Sequence, residues 1–151
     1  GLAAATLLAL KARGAPLPAA AWLLSPAVDL ADQRPSWEHN LPYDYLSPMV
    51  VHLEGFVPSY LGDADPALPL ASPIRGDLAG LPPLLIHVGE REVLHDQVAE
   101  YARKAQDAGV DVQLVTGADM VHVYPAFVGL AAEADQAFRD AGQFMQAHVA
   151  G

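Results

Sequence analysis

The chain alternates short, mostly apolar runs with longer stretches in which apolar residues recur at helical spacing. Leu84-Leu85-Ile86-His87-Val88-Gly89 and Val112 to Thr116 are runs of the first kind and read as buried strands. Ala19 to Leu24, closed by Ser25-Pro26, reads the same way. Val98, Tyr101, Ala102 and Ala105 fall at i, i+3, i+4 and i+7, which predicts a helix capped by Asp96 and ended by Gly109. Ala134, Ala137, Phe138, Ala141, Phe144 and Met145 mark a final amphipathic helix. Leu2 to Arg13 is made of good helix formers, with basic residues in the last turn and Gly14 as the stop.

The remaining stretches punctuate this pattern. Residues 30–46 mix Pro, Asn, Asp and aromatics and predict an irregular loop. Ser47-Pro48 predicts a helix start, with loosely periodic Val51, Phe56 and Tyr60 and an end near Gly62. The proline-rich segment Pro66 to Pro83 reads as a surface connection. Apolar strands alternating with helices indicate an α/β fold, a mostly parallel sheet with helices on both faces. The first helix is too apolar to stand alone, and neither a capping sequence nor a strand precedes it. The expectation is that the chain is the later part of something larger.

Composition narrows the function. A chain of 151 residues fits one domain and buries about 70% of its unfolded surface. Its 18 acidic and 8 basic residues give a formal charge of −10. That balance argues against nucleic acid and anionic membrane partners, which demand clustered Lys and Arg. No apolar run approaches the ~18 residues of a membrane span, and Leu2 to Leu10 lacks the basic flank of a secretory signal. The absence of cysteine excludes disulfides and thiolate chemistry and suits a cytoplasmic protein.

In open parallel sheets, sites gather at the carboxyl ends of strands. One such end is followed by Glu90-Arg91-Glu92-Val93-Leu94-His95-Asp96, another by the loop "DMVHVYPAF" that carries His122. If the two strands are parallel neighbours, an acid faces a histidine, the pairing that fixes an imidazole tautomer for general-base work. The acids also read as a solvated turn and a helix cap. The six histidines show no paired helical spacing for a metal, and no Gly-rich loop opens a helix for phosphate. Of the five serines, none sits in a G-x-S-x-G elbow, and Ser25, Ser47 and Ser72 each precede proline.

Five segments, in order, resemble the C-terminal half of an α/β-hydrolase of the hormone-sensitive-lipase-like esterase family. "GLAAATLLALKARG" is similar to the helix after that family's Gly-Asp-Ser-Ala-Gly-Gly elbow, and "LLSPAVDL" to its Leu-Ser-Pro-x-x-Asp-Leu segment. "YLGDADPALPLASPIRGDLAGLPPLLIHVG" matches the run into the strand before the acid. "EVLHD" stands in place of Asp-Pro-Leu-x-Asp, and "DMVHVYPAF" in place of Gly-Met-x-His-Gly-Phe.

The resemblance implies the C-terminal portion of an α/β-hydrolase fold, with residues 1–151 belonging to one domain. It implies His122 as general base and Glu92 as the acid orienting it, with Asp96 a rival because the family's acid is usually Asp. It places the nucleophilic serine before Gly1 and the oxyanion hole further upstream. The implied activity is hydrolysis of short-chain carboxylic esters, small-molecule substrates, by a serine mechanism that this chain alone cannot perform. A non-enzymatic binding homologue is the alternative. No metal or organic cofactor is implied. Trp37, Tyr43, Tyr45 and Phe56 are expected to line one wall of the substrate pocket, and the last strand to pair in a homodimer. Val123 and Tyr124 depart from the family's Gly and Phe.

Overall fold

The computed structural model describes residues 1–45 and 53–149. Three strands, β1 (Ala21–Leu24), β2 (Leu84–Gly89) and β3 (Val112–Gly117), form a parallel sheet in the order β1-β2-β3. The register pairs Leu24 with His87, Val88 with Thr116 and Gly89 with Gly117. The carboxyl ends of the strands therefore emerge along one edge. All six residues of β2 are buried, as a central strand covered on both faces requires.

Side-chain alternation along β2 divides the core in two. Leu84, Ile86 and Val88 face one layer, where they join Ala4, Leu7 and Leu8 of α1 (Leu2–Ala12) and Val98, Tyr101 and Ala102 of α4 (His95–Asp107). Leu85 points the other way, against Ala141 and Phe144 of α5 (Ala132–Val149). The predicted two-faced α/β architecture is the observed one. α1 stops at Gly14 and α4 at Gly109, both with the positive φ that glycine adopts without strain.

Three expectations need correction. Residues 30–46 are not wholly irregular: Pro35 opens a short helix, α2 (Pro35–His39), and buried Ser36 ties it to the start of α4. The segment from Pro66 to Pro83 is not simply superficial. Its Ile74, Leu78 and Leu81 are buried in the larger core beside α1, and Pro73–Arg75 forms a 3-10 turn. Asp96 is not the cap of α4, which begins at His95 after Leu94. Its amide instead donates to the Ser36 hydroxyl, so the cap comes from α2.

The expected helix start at Ser47-Pro48, and Val51 with it, lie outside the described residues. α3 (Leu53–Leu61) runs up to Gly62, which takes positive φ. No helix among the described residues is long and apolar enough to cross a membrane.

Candidate active site

Each strand delivers one polar residue to the carboxyl edge of the sheet. Ser25 follows β1, Glu92 lies in the turn after β2, and His122 lies in the loop after β3. The Ser25 amide continues the parallel ladder by donating to the His87 carbonyl at 2.8 Å. The structure brings Glu92 and His122 together, with the Glu92 Oε2 carboxylate oxygen 2.7 Å from His122 Nδ1. Glu92 is completely buried, whereas the His122 side chain retains 15% exposure. An imidazole held through Nδ1 leaves its Nε2 as the remaining ring nitrogen for proton transfer.

The other oxygen of Glu92 is occupied. Oε1 accepts from the Ser25 hydroxyl at 2.8 Å and from the Gly89 amide. Ser25 Oγ in turn accepts from the Val123 amide at 3.0 Å. Gly89 also allows a close approach of chains. A Cβ there would fall 2.6 Å from the Val121 carbonyl oxygen, so no side chain fits beneath the His122 loop.

The acid turn is strapped from outside by the segment around α2. Asn40 Nδ2 donates to the Glu90 and Glu92 carbonyls, both at 2.9 Å, and Asp44 Oδ2 accepts from the Val93 amide at 2.8 Å. Asp96, the rival acid, lies elsewhere. Its carboxylate accepts from the Ser36 amide at 2.9 Å and stands 3.0 Å from His95 Nδ1.

Of the four residues expected on a pocket wall, Tyr45 reaches the histidine loop. Its hydroxyl donates to the His122 carbonyl at 2.9 Å, and its ring lies edge-on to that of His122. Trp37 packs against the larger core instead. Tyr43 lies at the rim under the Arg91 guanidinium, 5.2 Å from the ring centre. The side chain of Phe56 falls outside the description.

Negative charge surrounds the site. Burial, helped by Asp44 and Glu92, raises the Tyr45 hydroxyl above its ordinary value. Burial, with Asp140, Glu92 and Glu133 adding to it, pushes Tyr124 up to about 12. Both phenols are hydrogen-bond donors at neutral pH. Among the described residues no group of three or more His, Asp or Glu is placed to hold a metal ion.

Ser25, Asn40 and Asp44 were not foreseen as parts of this site. For Ser25 a signal existed, since it stands at a strand's carboxyl end. Asn40 and Asp44 act across 49 to 52 residues of chain from an irregular segment, where spacing carries no information.

Comparison with known proteins identifies the fold family. A family model described as alpha/beta hydrolase fold matches residues 1–126. An acetyl-hydrolase of Streptomyces hygroscopicus is 41% identical over 146 residues, which is 97% of this chain and 48% of that protein. An esterase of Acinetobacter venetianus is 34% identical over 144 residues, 95% of this chain and 47% of its own length. Among solved structures, an esterase from the bacterial hormone-sensitive lipase family superposes with a TM-score of 0.88 at 38% identity. That match covers 97% of this chain and 49% of the esterase. The chain thus spans about half the length of the relatives it matches. It belongs to the α/β-hydrolase fold family and is similar to the hormone-sensitive-lipase-like esterases within it.

Proposed function

We propose that this chain is the C-terminal half of a serine carboxylesterase acting on short-chain esters, with His122 as general base and Glu92 as its acid. The observation that carries the reading is the 2.7 Å contact between His122 Nδ1 and a buried Glu92 carboxylate at the carboxyl edge of a parallel sheet. A serine supplied by the preceding half would lose its proton to His122 as it attacks the ester carbonyl. His122 would then pass that proton to the departing alcohol. A second round, with water in place of serine, releases the acid and restores the serine. Glu92 holds the ring in one tautomer throughout and stabilises the imidazolium between the two transfers. The relatives' printed names, acetyl-hydrolase and esterase, support the reaction class.

The test is made on the full-length protein that carries this chain. A p-nitrophenyl acetate assay should show hydrolysis, and a fluorophosphonate probe should label one serine upstream of residue 1. Residues 1–151 alone should hydrolyse nothing above background. His122→Ala and Glu92→Ala should each lower kcat by roughly 10³-fold or more. A full-length protein that neither hydrolyses the ester nor takes the probe would point to a binding homologue. Loss of activity in Asp96→Ala but not in Glu92→Ala would overturn the choice of acid.

A further inference from the structure

We propose that Ser25 is a positioning residue of this site, its hydroxyl locking the Glu92 carboxylate to the loop that carries His122. The inference rests on the reading of Glu92 and His122 as acid and base. Nothing in the chemistry of an acid and base demands a third side chain here, yet the hydrogen bonds of Ser25 admit one arrangement of protons.

A hydroxyl has one hydrogen to give. The Val123 amide can only donate, so Ser25 Oγ accepts at that contact. Its single hydrogen is then directed to Glu92 Oε1, 2.8 Å away. Together with the Gly89 amide, this gives Oε1 two donors and leaves Oε2 for His122. Glutamate has one more rotatable bond than aspartate, so its carboxylate needs such restraint to present one oxygen in a fixed direction. The same oxygen of Ser25 also holds the residue next after His122. One buried hydroxyl therefore registers acid and base against each other, from the end of a third strand.

Backbone strain supports the same conclusion. Ser25 has φ 39° and Val123 φ 53°, both in the left-handed region that disfavours side chains. These two residues meet in one hydrogen bond. Strained conformations persist where surrounding structure over-determines them, and they cluster at functional sites. Ser25 is also 4% exposed, so its hydroxyl has little recourse to water.

The test uses Ser25→Gly alongside Ser25→Ala in the full-length protein. Glycine removes the hydroxyl while relieving the positive φ, so that variant should fold. Three quantities are followed: the melting temperature, kcat and KM on p-nitrophenyl acetate, and the NMR signal of the His122 Nδ1 proton. The expected result for Ser25→Gly is a kcat lowered about 10- to 100-fold, with KM within about twofold. The Nδ1 proton signal should be present in the wild type and broadened or lost in the variant. An unchanged kcat in a folded Ser25→Gly protein would overturn the proposal. If the wild type hydrolyses no ester, the proton signal decides alone. Loss of the signal in Ser25→Gly supports the positioning role, and its persistence in both proteins, or absence from both, overturns it.

Discussion

Ser36 and Asp96 exchange two hydrogen bonds across 60 residues of chain: the Ser36 amide donates to Asp96 Oδ2 at 2.9 Å, and the Asp96 amide donates to Ser36 Oγ at 3.1 Å. The Ser36 hydroxyl then passes its own hydrogen to the Val93 carbonyl at 2.8 Å. This is the reciprocity of a capping box, assembled from two segments distant in sequence. It fastens α2 to the first turn of α4 and carries Asn40 to the Glu92 turn.

Asp96 should therefore matter to stability and little to catalysis. Burial raises its carboxyl, but the bonds from His95 and the Ser36 amide outweigh it and hold the group below its ordinary value. Such a group stabilises the fold above the unfolded carboxyl value near pH 4, and that contribution is lost as pH falls through the depressed folded value. Asp96→Asn should cost about 1 kcal/mol at pH 7, a figure kept small because much of the side chain meets solvent. The difference from wild type should shrink in urea melts below about pH 4. Esterase activity of the full-length variant should stay within about threefold of wild type, against the collapse expected for Glu92→Ala.

His87 predicts a second pH dependence, of opposite chemical origin. It is fully buried on β2, and Trp22 Nε1 donates to its Nδ1 at 2.9 Å. An indole N–H only donates, so Nδ1 carries no proton and the neutral ring holds its hydrogen on Nε2. That nitrogen has no hydrogen-bond partner among the described residues and stands 4.0 Å from Asp140 Oδ2. Burial lowers the pKa of His87, with Asp140 pulling weakly the other way. The unfolded chain thus binds a proton near pH 6.5 that the folded chain refuses. Stability is fully present above that pH and falls as pH drops below it, by up to about 1.4 kcal/mol per unit. His87→Asn keeps an acceptor for Trp22 without titrating. Its denaturation midpoint should decline less steeply than wild type between pH 7 and pH 5. Equal slopes would mean that His87 takes up its proton in the folded state.

The sequence carries the periodic elements and loses the long-range bonds. β2 is legible because a run of six residues broken only by His87 is apolar on both faces and needs cover on both, and α1 and α4 because a glycine that takes positive φ stops each one. The facing of Glu92 and His122 is likewise legible, since parallel neighbours must deliver their following turns to one edge. Ser36 is opaque: nothing at positions 34–38 distinguishes it from a loop serine, and its partner is 60 residues away. The segment around Ile74 and Leu78 misleads for a different reason. Its prolines announce turns, but burial depends on α1 and the sheet beneath, which the local sequence does not describe.

Gly89 should tolerate no side chain. A Cβ would collide with the carbonyl oxygens of Met120 and Val121, which are backbone atoms and cannot swing aside. Those carbonyls also receive ladder-like bonds at the loop base, with the Arg91 amide donating to Met120 O at 3.0 Å. Gly89→Ala should push the His122 loop outward and lower full-length kcat about 100-fold or more. Its cost in stability should be smaller, about 1–3 kcal/mol. Activity near wild type would show that the loop shifts without carrying His122 off Glu92.

Val123 offers the converse experiment, a substitution expected to stabilise. A β-branched residue at φ 53° and ψ 34° holds a left-handed backbone at a cost of about 1–3 kcal/mol. Replacing it with glycine removes that cost. Glycine's greater freedom in the unfolded chain takes back about 0.5–1 kcal/mol, and a half-buried isopropyl group takes back about 1 kcal/mol more. A β-branched residue in this region lies at the upper end of the strain, about 3 kcal/mol, so the net gain should be about 1 kcal/mol, seen as a rise of a few degrees in melting temperature. The amide that donates to Ser25 Oγ is backbone and survives the change. The full-length Val123→Gly protein should therefore keep kcat within about twofold while melting higher. A lower melting temperature would mean that the valine side chain contributes more by packing than its backbone conformation costs. Unchanged stability with reduced kcat would mean that the rigidity of valine, and not only its amide, holds His122 in place.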